Sequence, residues 1–376
     1  MKQNPTSQSG IFNPRVLVAF TLCFAGVLLT LLPSNARVSV ADFSRPDNTF
    51  VTNGNVQAVV RSGDTIYIGG HFNRVGPRTG PGVELALDGS QIPGLPEVTG
   101  AGGAVTGGGG AVQAVASDGS GGWYIGGLFT HVGGVARNNI AHIRADHSVD
   151  PAFDPNANDG IHALAVSGST VYAAGLFTAI GGQTRNRIAG LNAADGTANA
   201  FDPNADAGIE ALAISGSGSI IYAGGRFAMI GGQPRDAIAA LNAADGSATT
   251  TFNPMPNNRL VLALAISGST LYVGGYFTAI GGQPRNNIAA LNASDGMATS
   301  FDPNATTNGC NACGGVSAIV VSSSTVYAGG LFTHIGGQNR RYCAALNAAN
   351  GTASPFNPDP NGNILGLAVS VDGLTV

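Results

Sequence analysis

Charge is what this chain has least of. Only 10% of its 376 residues are Asp, Glu, Lys or Arg, against roughly a quarter in an average soluble domain. A surface this poor in charge is wetted by Asn, Ser, Thr and backbone. Lysine is nearly absent: Lys2 stands alone, and beyond residue 36 the cations are 15 arginines against 21 acidic residues, a net charge of about −6. That leaves no basic field for phosphate backbones, so no nucleic-acid partner is expected.

Cysteine is scarce as well. One of the four, Cys23, falls in the amino-terminal apolar run, leaving Cys310, Cys313 and Cys343. Cys310 and Cys313 form Cys-Asn-Ala-Cys in an inter-repeat loop longer than its siblings. A zinc site would need two further ligands, and a redox site would need a βαβ context that is missing. A local disulfide between Cys310 and Cys313 in an oxidising compartment is the expectation. Cys343 stands where sister repeats place Ile140, Ile188, Ile238 and Ile288, which makes it a buried apolar side chain.

Long apolar runs are missing too, with one exception. Lys2 and Arg15 precede an apolar stretch from Val16 to Leu32, Pro33 ends it, and Ser34-Asn35-Ala36 supplies small residues. This reads as a signal peptide over residues 1–36, cleaved after Ala36. At 17 residues the run lies at the short edge of a bilayer span, so an uncleaved anchor is the alternative. After cleavage no membrane association is expected, and the product is secreted or held at the cell surface.

What the chain does have is repetition. An aromatic, a Gly-rich turn, Phe, two small or apolar residues, Gly-Gly, Arg and a short apolar run recur over 124–143, 172–191, 222–241, 272–291 and 327–346, with a degenerate copy opening at Tyr67. The shared Phe falls at Phe72, Phe129, Phe177, Phe227, Phe277 and Phe332, a spacing near fifty residues. Each interval holds four strand-like segments; in the third unit these are 161–166, 170–175, 187–191 and a stretch ending at Phe201. Asp195-Gly196 supplies the positive φ of a tight hairpin. No segment sustains a 3.6-residue apolar period. Four short antiparallel strands per fifty residues match one blade of a β-propeller. A solenoid is the runner-up, but its coils usually run about 20–30 residues and lack hairpin turns. The expected class is therefore all-β, a propeller of four-stranded antiparallel blades filling residues 37–376. First strands begin seven times, at Val56, Val112, Ile161, Ile209, Val261, Val316 and Ile364, but only six units are completed. A truncated seventh blade is expected, with the repeat domain incomplete at its carboxyl end and a strand from 37–43 able to close the ring.

At Phe-Thr-Ala-Ile-Gly-Gly-Gln-Pro-Arg-Asn-Asn-Ile-Ala-Ala-Leu, 277–291, the pattern resembles the delta-60 repeat β-propeller family of exported bacterial proteins. It also looks like the kelch-like propellers of fungal cell-surface polarity markers. The first unit departs, with Val75-Gly76-Pro77-Arg78 in place of the Gly-Gly-Gln core and a Gly-rich insertion over 100–110. The resemblance implies a propeller on a secreted or surface-attached protein. It implies no catalytic residues, so none are carried over.

Four sets of residues are candidates for chemistry. Arg137, Arg185, Arg235, Arg285 and Arg340 recur once per blade; as a ring of guanidinium groups they would bind an anionic sugar or carboxylate, and as structural ties they would hold each blade to carboxylates or carbonyls. The structural role is expected to dominate. Asp154-Pro-Asn156 and Asp202-Pro-Asn204-Ala-Asp206 space oxygens two apart as calcium loops do. Both place Gly late and lack the terminal Glu, so Asx turns explain them and no metal or cofactor is expected. The six histidines, His71, His131, His142, His147, His162 and His334, are scattered, and His131 and His334 occupy a loop site where sister repeats have Ala or Met. Tyr342-Cys343 resembles the cross-linked copper radical of oxidase propellers only superficially, because the accompanying His ligands are not evident. Without a nucleophile elbow or a phosphate loop, no catalytic residue is named. The expected function is a non-catalytic binding or scaffolding module for a protein or carbohydrate ligand. A secreted propeller enzyme acting on carbohydrate and a structural spacer in a larger adhesin are the alternatives.

Overall fold

The computed structural model describes residues 55–62, 65–71, 82–86, 94–100, 111–258, 260–308 and 310–369. The leader (1–36), the strand expected at 37–43, Phe72 and Val75-Gly76-Pro77-Arg78, and residues 101–110 of the Gly-rich insertion lie outside these. No helix occurs among the described residues.

Each unit is an antiparallel meander. In the third, Ile161–Ser167 pairs with Thr170–Gly175, which pairs with Ile188–Asn192. The same order recurs in the first, second, fourth, fifth and sixth units. The core lies between blades. One cluster joins Tyr172, Ile188 and Phe201 of the third unit to Ile209, Ile221, Phe227 and Leu241 of the fourth. The recurrent Phe is buried in units two to six: Phe129, Phe177, Phe227, Phe277 and Phe332 are at most 2% exposed. The motif-opening tyrosines meet the loop phenylalanines edge-on, as in Tyr172–Phe201 at 5.0 Å and Tyr272–Phe301 at 5.3 Å.

Two local features differ from expectation. In the second to sixth blades the fourth strand is reduced to one bridge, Leu191↔Ala198 in the third. The chain then turns inward, because Asn199 Oδ1 accepts the Phe201 N–H at 3.0 Å and Pro203 has no N–H to extend a ladder. In exchange, the Gly-Gly of the motif makes a hairpin of its own, Ala179–Ile180 against Gln183–Thr184. Gly181 and Gly182 have φ of 61° and 76°, the pair of left-handed residues a type I′ turn requires.

The six first strands gather around an axial channel, joined by the segment 364–369. Gly366 and Leu367 line the channel with Ala58, Ala114, Ala163, Ala211, Ala263 and Ala318. This segment lies between the sixth blade and the first: Ile364 packs on Gly329, and Gly366 approaches Gln57. It is only half-buried, whereas Ile161, Ile209, Val261 and Val316 at the matching position are fully buried.

Candidate functional site

The five recurrent arginines are drawn into the backbone of their own blades. Nη1 of each donates to the carbonyl of the preceding residue, and Nη2 to a carbonyl before the inter-blade loop. The second acceptors are Asp150 at 2.9 Å, Asn199 at 3.0 Å, Thr249 at 2.6 Å, Thr299 at 2.7 Å and Ser354 at 3.0 Å. Arg137, Arg185 and Arg285 also lie 3.4–3.6 Å from Asp154, Asp202 and Asp302. In the blades of Arg235 and Arg340 the position of that carboxylate is taken by Asn253 and Asn357. Arg235 is only 6% exposed, and desolvation pushes its pKa below the ordinary arginine value. None of the five lines the channel.

The oxygen pairs read as calcium-like are used locally. Asn156 Oδ1 accepts from Asn138 and Asn204 Oδ1 from Asn186, both at 2.7 Å. Asp206 Oδ1 accepts the N–H groups of Ala228 and Met229 in the following blade. Among the described residues no group of three or more His, Cys, Asp or Glu side chains is arranged to hold a metal ion. Cys310 and Cys313 are disulfide-bonded, and Cys343 is buried, which raises its thiol to about 11. His142, whose counterparts are Gly190, Ala240, Ala290 and Ala345, stacks on Tyr124 and sits between Asp118 at 3.1 Å and Asp150 at 3.0 Å.

A different set of residues converges. In all six first strands the register slips at one place, so that Gln57, Gln113, His162, Glu210, Leu262 and Ser317 each bulge out of the ladder. A bulge re-aims the side chain it carries, and Gln57, His162, Leu262 and Ser317 line the channel, whose volume is about 260 Å³. A second variable position follows the glycine that ends the pairing with the bulged start of the first strand: Leu128, Leu176, Arg226, Tyr276 and Leu331. Leu128, Leu176 and Tyr276 lean on Gly160, Gly208 and Gly315, which precede the next blade's first strand. Leu128, Leu176 and Leu331 are 37–47% exposed, a large apolar surface to leave in water three times over.

The mouth carries one charged group of three. His162 Nδ1 donates to Glu210 Oε2 at 2.8 Å, and Arg226 Nε donates to Glu210 Oε1 at 3.1 Å. The His162 hydrogen bond holds the Glu210 carboxyl below its ordinary value, against the opposing pull of burial and with help from Arg226. A depressed folded value gives stability that is complete above the unfolded pKa and is lost as pH falls through the folded one. Wild type is therefore expected to lose thermal midpoint below about pH 4, and Glu210→Gln to lose less over that interval. Melting curves of both proteins between neutral pH and pH 3 check this, and parallel acid limbs refute it.

Sequence reasoning named the arginines and passed over this convergence, counting His162 among scattered histidines. The available signal was a column of the repeat: Val or Ile before it and Ala after it hardly change, while Gln, Gln, His, Glu, Leu and Ser alternate between them.

Comparison with known proteins agrees with this architecture. Residues 119–153, 170–200, 217–252 and 270–298 match the family model of a domain of unknown function (DUF5122) beta-propeller. The solved WD40 beta propeller domain of Doa1 superposes with a TM-score of 0.52, over 86% of this chain and 88% of that one, at 11% identity. The chain is a β-propeller. The computationally designed Ika8 protein is similar to this propeller with a TM-score of 0.50, over 85% of this chain and 92% of that one, at 12% identity. Identities this low speak to the fold alone. No curated protein matches the chain.

Proposed function

We propose that this propeller is a non-catalytic binding or scaffolding module of an exported protein, and that it takes its ligand at the channel mouth. The observation that carries the reading is that two variable positions of each blade, the bulge of the first strand and the residue that follows the second strand's glycine, lie beside each other at one end of the channel. A scaffold that repeats itself in its core and differs around an opening presents a surface free to specialise without cost to packing. The exposed leucines and Tyr276 offer apolar contact, and Glu210 with Arg226 offers oriented charge; that mixture suits a protein or glycan surface. The resemblance to delta-60 repeats and the leader-like residues 1–36 support export to the cell surface or beyond.

The test is a binding screen of the full chain against immobilised surface glycans and exported proteins of the source cell, repeated with two variants. Leu176→Asp with Arg226→Glu is expected to abolish whatever wild type retains. Asp295→Asn, in a hairpin turn of the fifth blade away from the mouth, is expected to leave it intact. Binding that survives the first variant and fails in the second overturns the assignment.

A further inference from the structure

A second cavity, whose lining shares no residue with the channel, lies where the third blade breaks the repeat. Two positions after each recurrent arginine comes a residue held at positive φ: Asn139, Arg187, Ala237, Asn287 and Tyr342, at 59–68°. In the second blade Asn139 Nδ2 donates across the gap to the Ala157 carbonyl at 2.8 Å, and in the fifth Asn287 Nδ2 donates to Ala305 at 2.7 Å. These carboxamides plug the space between a turn and the loop leading to the next blade. In the fourth blade the side chain is only Ala237, but the loop residue opposite is the larger Pro256, also buried.

The third blade does neither. Arg187 lines the gap and donates to the Leu176 carbonyl instead, and Ala205, the counterpart of Ala157 and Ala305, receives no carboxamide. A cavity of about 460 Å³ remains, lined by Asn186, Arg187, Asn204, Ala205, Asp206 and Met229. This lies within the range of small-molecule pockets, about 300–1,000 Å³.

The lining selects among ligands. One guanidinium and one carboxylate leave neither sign dominant. Asn186 and Asn204 spend one amide contact on each other, at 2.7 Å, and each keeps further donor or acceptor capacity. Asp206 spends one oxygen on the N–H groups of the next blade. Met229 adds a flexible apolar wall, 44% exposed. Alternating donors and acceptors beside an apolar face match a ring of hydroxyl groups, each of which both donates and accepts.

We propose that this cavity is a subsite for a neutral mono- or disaccharide, with Arg187 and Asp206 holding its hydroxyls and Met229 its apolar face. Its lining shares no residue with the channel, and it is expected to bind whether or not the mouth does.

The full chain has four methionines, Met1, Met229, Met255 and Met297, so methyl labelling gives a sparse spectrum with a reporter inside the cavity. The labelled protein is titrated with glucose, galactose, N-acetylglucosamine and cellobiose, and separately with inorganic phosphate. At least one sugar is expected to shift the Met229 methyl saturably while Met255 and Met297 stay in place. Arg187→Asn, which installs the residue of the second and fifth blades, is expected to weaken that response about tenfold or more with the thermal midpoint retained. Asp206→Asn, the residue at the matching positions Asn158 and Asn257, gives an independent check should the first variant fold poorly. The proposal is overturned if no sugar moves Met229, if phosphate alone does, or if the response persists unchanged in both variants.

Discussion

Gly225→Ala is expected to cost about 4 kcal/mol or more and to yield little folded protein. Its neighbour Gly224→Ala is expected to cost about 1–3 kcal/mol. Both residues end the second strand of the fourth blade, but a methyl group meets different things at the two sites. At Gly225 it would overlap the Gly208 carbonyl oxygen, which already accepts the Arg226 N–H at 2.9 Å. Backbone on both sides leaves nothing free to move. At Gly224 the methyl would press on Val261 Cγ1, a side-chain atom of the next blade. The third blade already carries Ala174 there, fully buried against Ile209. Denaturant unfolding of the two variants side by side checks the contrast, and equal losses would show that inter-blade packing sets both positions.

Arg235→Ala is expected to destabilise the protein by about 3 kcal/mol, with Arg235→Lys recovering only part of the loss. The guanidinium is 6% exposed, and its two donors reach carbonyls at 2.7 and 2.6 Å in fixed directions. A lysine ammonium cannot span that fork, and alanine strands the Thr249 carbonyl beside a cavity. Arg185→Ala, with its partners partly open to water, should cost less. If the arginines instead serve a shared anionic ligand, Arg235→Ala will keep its stability and change only ligand binding, an outcome that unfolding curves separate cleanly.

Much of this architecture was readable in advance because repetition multiplies weak signals. A single Asp-Gly or Gly-Gly is an ambiguous turn; five copies at a spacing near fifty residues determine the repeat and its antiparallel pairing. The fourth strand was overestimated because Phe201, Phe301 and Phe356 look like strand residues but have their N–H groups taken by the side-chain oxygens of Asn199, Thr299 and Ser354. The Gly-Gly hairpin was overlooked because two residues on each side are too short to show alternation.

The sites divide along the same line. The arginines were visible as a column that never changes, and their constancy pointed correctly to a shared structural acceptor. The channel mouth was invisible because its residues differ from blade to blade and lie about fifty positions apart; only the packing of one blade on the next makes His162 and Glu210 neighbours. The cavity beside Arg187 depended on which way one side chain turned, a choice set by the carbonyl of Leu176 and by what faces it across the gap. Composition and period by themselves determined an all-β repeat protein with its core between the repeats, since apolar residues at strand spacing must be buried somewhere and each unit is too thin to bury them alone. Which of its variable residues meet was decided by the tertiary structure, because that depends on the angle between blades and on bulges of one residue, neither of which leaves a pattern in a single chain.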